Sequence, residues 1–501
     1  MTPAVTPSPS PTAVPPSATP TLLRTASPTP GPPDWNALAS QLRGTLIRPT
    51  DAGYDAARVL YNTRFDGLRP QAIAGCASVA DVQACIAFAR HYGVAITPRS
   101  GGHSYGGWSS GQGLVVDLAG LGSTNVRDIS ATIGAGARLA DAYATVGAQG
   151  FGIAAGSCPT VGIAGLALGG GLGVLSRAWG LTCDSVVSID VVTADGTART
   201  CDAQRDPDLF WALRGGGGGN FGIVTSFTLR TRRSAPLAIA FVTWPWARAA
   251  AVVRAWQSWI ASMPDAVWSN VHLDAATGPA PTLLVHAVAM EDVAALQAHL
   301  DQLVNLAGSA PDGRTVLTRP YTEAMLLEGG CAQLTLAQCH LRGTTPDATL
   351  GRETYAAKSA IAAGPLSNAA IDAILGGLEG LQALPNAGAG SILMDAMGGA
   401  IAQVAPDATA FPHRTAIAAL QFVASWDASA PPAIADASIA WLRSTYAKAR
   451  PLIGPGAYVN YADPDLPDWQ QAYYGANYAR LQRVRATYDP DGLFAFPQAI
   501  R

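Results

Sequence analysis

Two short runs carry the side chains best suited to chemistry. Arg99-Ser100-Gly101-Gly102-His103-Ser104-Tyr105 sets an imidazole among glycines, and Gly156-Ser157-Cys158-Pro159-Thr160-Val161-Gly162 does the same for a thiol. Near the C-terminus, Tyr458-Val459-Asn460-Tyr461-Ala462-Asp463 adds two phenols and a carboxylate. Tyr461, Tyr458, Tyr105 and Asp463 are candidate bases for taking a proton from a substrate. An unperturbed phenol titrates near 10, so a tyrosine base needs a partner. Each residue taken singly has an ordinary explanation. A loop histidine is commonly only hydrogen-bonded, a lone cysteine is a small buried hydrophobe, and tyrosines pack in cores. Metal binding is not indicated: the 7 cysteines include no CxxC pair, and the 7 histidines are scattered.

Three glycine clusters accompany these runs: Gly101 to Gly107, Gly165 to Gly173, and Gly215 to Gly222. Glycine lets the backbone approach a ligand closely, and consecutive exposed amides make a cradle for phosphate. Gly217-Gly218-Gly219-Asn220-Phe221-Gly222 matches G-x-G-x-x-G, but helix-like residues precede it and a strand pattern follows. A nicotinamide dinucleotide fold needs the reverse order. No lysine follows any of the loops in the manner of an ATP-binding P-loop.

The surrounding elements must hold these loops. Ser78-Val79-Ala80-Asp81 signals a helix start, and apolar residues at 82, 85, 86 and 89 predict a helix with one buried face. Strands are expected at Gln71 to Cys76, Val94 to Pro98, Gly113 to Leu118, Val186 to Val192 and Ile223 to Leu229, with Asp195-Gly196 as a hairpin turn. Within the Gly-rich stretch Gly156 to Gly173, the run Thr160 to Leu175 reads as a tight loop system. Beyond about residue 236, helices at Ala247 to Ala261 and Glu291 to Leu303 alternate with strands such as Thr282 to Ala289 and Ala418 to Phe422. The last helix, about Ala476 to Tyr488, is ended by Asp489-Pro490.

Together the motifs resemble the berberine bridge enzyme-like family of FAD-linked oxidases, within the vanillyl-alcohol oxidase or PCMH-type FAD-binding superfamily. The His103 loop resembles its flavin-attachment loop, and Gly156 to Gly162 its second attachment site. Asp206 to Gly222 resembles its FAD-contacting segment, and Tyr458 to Asp463 with Tyr488-Asp489-Pro490-Asp491-Gly492-Leu493-Phe494 its C-terminal segment. The resemblance implies an α+β, two-domain PCMH-type fold whose substrate domain is an antiparallel sheet covered by helices. The expected division is a tether at 1–34, an FAD-binding domain at 35–235, a substrate domain at 236–455 and a returning segment at 456–501. FAD is implied to be attached twice, at its 8α carbon through His103 and at C6 through Cys158. The implied contacts around it are Arg99, Ser100, Gly101, Gly102, Ser104, Gly107, Val161, Gly162, Gly165, Gly169, Gly170, Gly173, Gly222, Ile223, Val224, Tyr458 and Asn460. Tyr461 matches the family's catalytic tyrosine, assisted by Tyr105. Val161 stands where a small side chain resembles oxidases and a leucine would resemble dehydrogenases.

The implied reaction removes a hydride from an alcohol carbon of a carbohydrate-like substrate, with O2 as acceptor and lactone or aldehyde plus H2O2 as products. Two other readings stay open: oxidation of a C–N bond or a secondary metabolite, and a flavin-loaded binding protein with little turnover. Trp244, Trp246 and Tyr321 are candidates for stacking on sugar rings or for plain core positions. Cys331 and Cys339 could close a disulfide or remain two buried thiols.

Composition sets the outer bounds. With 501 residues, 49% hydrophobic and 13% charged, the chain is globular and long enough for two domains. A net charge of −3 with no recurring Lys/Arg cluster argues against a nucleic-acid partner. No apolar run is long enough for a membrane span, the nearest being the glycine- and alanine-rich stretch from Thr160 to Leu175. The expected partners are therefore a small-molecule substrate and O2, with the chain acting as a monomer. The first 34 residues hold 11 of the 36 prolines and read as a flexible tether. No signal peptide is visible after Met1, yet such a tether favours a secreted or extracytoplasmic location over a cytoplasmic one.

Overall fold

The computed structural model describes residues 31–501. The Pro/Ser/Thr-rich tether lies outside the described residues except for its last four positions. Three larger sheets organise the rest, beside a two-stranded pair of Phe151–Gly152 with Arg232–Arg233.

The four-stranded sheet matters most for the histidine loop. Ala72–Gly75, Leu114–Asp117 and Ile96–Arg99 run parallel, and Thr45–Ile47 adds an antiparallel edge. The helix Val79–Tyr92 covers this sheet; Ser78 caps it by accepting from the Asp81 amide, and Gly93 ends it in the left-handed conformation. Because Ile96–Arg99 stops at Arg99, the chain enters the glycine loop at the sheet's end. A five-stranded antiparallel sheet follows, containing Thr124–Arg127, Ser130–Gly134, Ile223–Arg230, Val186–Val192 and Ala198–Cys201. The hairpin predicted at Asp195-Gly196 joins the last two, with Gly196 at φ +82°.

One local expectation fails. The run Thr160 to Leu175 is not all loop: Ile163–Leu168 forms a short helix whose Ile163, Ala164, Ala167 and Leu168 are buried. Its apolar spacing was masked by flanking glycines that sequence reading takes as breakers.

The third sheet has seven strands, all antiparallel: Gly313–Arg319, Leu237–Trp244, Thr282–Ala289, Val267–Ala276, Ala389–Ala396, Ala418–Ser425 and Tyr355–Ala362. The helices Ala249–Ser262, Val293–Ala307, Asn368–Gln382 and Pro432–Ile453 pack against it. Strand alternation explains the division of labour. In Val267–Ala276, Ser269 faces the helices and accepts from the Trp256 indole, whereas Trp268, Asn270 and His272 face a cleft.

The chain then returns. Tyr474 donates to the Gly216 carbonyl, and buried Arg485 bonds the carbonyls of Asn220 and Phe494. These contacts stitch the C-terminal segment to the third glycine cluster. No described helix is long and apolar enough to cross a membrane.

Candidate active site

The glycine loops and the exposed face of the seven-stranded sheet enclose a cavity of about 720 Å³. The loop Ser100 to Tyr105 forms one wall. Its geometry requires glycine at 101: an added Cβ would stand 2.1 Å from the amide nitrogen of Gly162. The amides of Gly101 to Tyr105 have no protein acceptor among the described residues. Such a run of free amides suits an anionic group. On the adjoining helix Ile163–Leu168, Gly165 opens to the cavity with nothing within 4 Å of an added Cβ, so bare backbone meets whatever fills the cleft. The residues therefore fit a large phosphate-bearing cofactor such as FAD.

His103 stacks on Tyr61, with centroids 3.9 Å apart. Its Nε2 is 2.9 Å from the Thr160 hydroxyl, and Nδ1 has no protein partner. Burial, with the Arg138 charge second, lowers the imidazole's pKa to about 3, so it is neutral. Cys158 is exposed only into the cleft. The cleft walls keep bulk water from the thiol, and with nearby Glu353 they push its pKa up to about 11.

Of the residues singled out in the sequence, Ser100, Gly101, Gly102, His103, Ser104 and Tyr105 line the cavity, as do Cys158, Val161, Gly162, Gly165 and Gly173. Gly222, Ile223, Val224, Asn460 and Tyr461 complete the set. Five others stand behind the wall. Arg99 is buried and bonds the Asp117 carboxylate and the Ala57 carbonyl. Gly107 packs under the Phe65 ring and Gly170 against Phe411, while Gly169 makes room for the Asn460 side chain. Tyr458 is corrected most clearly as a catalytic candidate. Its buried hydroxyl accepts from the amides of Gly171 and Leu172 and from Asn460 Nδ2, so it braces the glycine loop, and it does not line the cavity. Asp463 is likewise engaged, in a buried pair with Lys358 at 2.8 Å. Trp244 and Tyr321 are core residues that donate to the Ser309 and Ile153 carbonyls, and Trp246 bonds Glu379 on the exterior.

Tyr461 and Tyr105 do meet. Their rings stack at 5.3 Å, and Gln421 donates to the Tyr105 hydroxyl at 2.6 Å. Burial first, and the Asp395 charge second, raise the Tyr461 pKa well above 10. Asp395 is the residue that sequence reading missed. Burial lifts its carboxyl pKa to about 6, opposed by the Asn270 amide, which donates to it at 3.2 Å, and by the neighbouring His286 and Tyr461. Register explains its position. Phe241 pairs with His286, His286 with Asn270, and Asn270 with Asp395, making one row across four strands. A second row holds Leu284, His272, Leu393 and Gln421. The available signal was polar residues interrupting apolar strands at a period of two. No cluster of His, Cys, Asp or Glu among the described residues is arranged to hold a metal ion.

Comparison with known proteins agrees with this geometry. Residues 70–202 match the FAD binding domain family, and residues 457–501 match the Berberine and berberine like family. An uncharacterised FAD-linked oxidoreductase of Bacillus subtilis is 33% identical over 92% of this chain and 97% of its own. Xylooligosaccharide oxidase of Thermothelomyces thermophilus is 30% identical over 86% and 87%. Among solved structures, Physcomitrella patens BBE-like 1 aligns with a TM-score of 0.83 at 31% identity, covering 93% of this chain and 98% of that one. Chitooligosaccharide oxidase aligns with a TM-score of 0.82 at 26% identity, covering 93% and 99%. The chain belongs to the berberine bridge enzyme-like family of FAD-linked oxidoreductases, with the α+β fold of the PCMH-type superfamily.

Proposed function

We propose that this oxidoreductase is an oxidase of carbohydrate-like alcohols and holds FAD through two covalent links, at His103 and Cys158. The reading rests above all on Tyr461 and Asp395 lining the same cleft, with Asp395 held by the Asn270 amide and Tyr461 stacked on Tyr105. FAD, when bound, supplies the acceptor for a hydride from the substrate's C–H bond and passes the electrons to O2, giving H2O2. The chain supplies the rest.

His103 stays neutral, and its Nε2 is engaged with the Thr160 hydroxyl, so Nδ1 is the atom left to carry a link. Tyr461 takes the substrate hydroxyl's proton while its own passes to Asp395. A free phenolate is too costly at this buried position, but a carboxylate with a pKa near 6 is ionised and ready at neutral pH. Tyr105, held by Gln421, fixes the Tyr461 ring by stacking. Loss of hydride and proton gives a lactone from an anomeric carbon or an aldehyde from a primary one. Val161, half-buried at the wall, is read as admitting O2.

In this reading residues 35–235 and 456–501 hold FAD, and 236–455 hold the substrate. One chain contains every residue named, which supports a monomer. The Cys331–Cys339 disulfide supports an oxidising, extracytoplasmic location. The similarity to oligosaccharide oxidases supports the substrate class. Anaerobic mixing with cellobiose or xylobiose should bleach the flavin, and turnover in air should yield H2O2 in step with product. Bleaching by amines alone would replace the reading with C–N oxidation. No bleaching by either class would leave a flavin-loaded binding protein.

A further inference from the structure

Away from Asp395, the same wall of the cleft holds a second polar group that the chemistry above does not use. His286 and Glu328 bring Nε2 and Oε1 within 3.1 Å, with side chains only 6% and 5% exposed. Neither atom makes a hydrogen bond of acceptable geometry with any protein group. Asn270, between His286 and Asp395 in the strand row, also leaves its buried Oδ1 without a partner. All three residues line the cavity. Unpartnered buried polar atoms are costly, and a site keeps them when a ligand satisfies them. The pair is also held firmly. The imidazole stacks on Phe241 at 4.8 Å and meets the edge of Trp268. Glu328 ends the helix Tyr321–Glu328, immediately before the loop closed by the Cys331–Cys339 disulfide.

We propose that Glu328 and His286, with the Asn270 carbonyl beside them, form a hydroxyl-binding subsite that selects polyhydroxylated substrates over simple alcohols. A hydroxyl is the group that fits, because it donates to the Glu328 carboxylate while accepting from His286 Nε2–H. The row Phe241, His286, Asn270, Asp395 sets this subsite two strands, about 10 Å, from Asp395, so the clamped hydroxyl is a second hydroxyl of the same substrate, not the oxidised one. A polyol ring carries both groups, whereas a monohydroxylated alcohol carries only the reacting one. This inference rests on the alcohol-oxidase reading and sharpens it.

The test uses the flavin-loaded protein and its Glu328→Gln and His286→Phe variants. Both keep side-chain size, and phenylalanine keeps the stack on Phe241. Steady-state kinetics would be measured with cellobiose, D-glucose, the mono-deoxy analogues of D-glucose, and benzyl alcohol. Each variant should raise KM for the polyols about tenfold or more with kcat nearly unchanged, as for loss of a hydrogen bond that binds ground and transition states alike. One deoxy analogue, lacking the clamped hydroxyl, and benzyl alcohol should be insensitive to both variants. The inference is overturned if variants and wild type treat every substrate alike, if benzyl alcohol suffers as much as the polyols, or if the wild type prefers benzyl alcohol. Failure of the wild type to oxidise any alcohol would bring down the alcohol-oxidase reading itself, and the subsite with it.

Discussion

At the residue scale the account turns on two neighbours, one visible in the sequence and one hidden. Tyr461 lies in a motif recognisable from its order along the chain. Asp395 lies in Ala389–Ala396, a strand whose text shows only an alternating pattern. Asp395→Asn should lower kcat by about 10²–10⁴-fold, the usual range for losing a proton acceptor. The pH profile adds an independent check. The Asp395 carboxyl must be ionised to accept a proton and titrates at about 6, so kcat/KM should fall as pH drops below that value. The asparagine variant should lose this acid limb. A limb near 6 that survives in the variant would assign the proton to another group.

At the scale of elements, the cofactor cradle is backbone more than side chain. Gly165 sits in Ile163–Leu168 with open cavity beyond its Cα. Gly165→Ala should therefore fold normally, since alanine suits a helix better than glycine, yet carry less flavin. Absorbance at equal protein concentration checks this, and full flavin content would show that FAD does not approach that backbone. Gly101→Ala should lose flavin too, but with disruption of the loop, because its Cβ collides with Gly162. The helix Val79–Tyr92, the hairpin at Asp195-Gly196 and the strand Thr282–Ala289 were legible because caps, turns and apolar alternation act locally. The row from Phe241 to Asp395 was not. Its members lie on strands far apart in the chain, and only antiparallel register brings them together. Tyr458 shows the opposite limit, since its motif points to the site while its hydroxyl is engaged with Gly171, Leu172 and Asn460.

At the scale of the whole molecule, a glycine cradle and a polar sheet face have to be held across one cleft. Two buried arginines do much of this. Arg177 donates to the carbonyls of Val267, Met397 and Met263, and the fully buried Arg414 forms a two-bond pair with Asp184 at 2.7 and 2.8 Å. Asp184→Ala would strand the Arg414 charge and should destabilise the protein by about 3–5 kcal/mol, measured by denaturant unfolding. A loss under about 1 kcal/mol would mean the pair is not what joins the halves. The central claim is that one FAD is fastened to the glycine cradle at two points, His103 and Cys158. The most direct measurement is to denature the protein in acid and read flavin absorbance and intact mass on the chain. Wild type, His103→Ala and Cys158→Ala should each retain one FAD, and the double variant should retain none. Flavin released from the wild type, or kept by the double variant, would contradict the account.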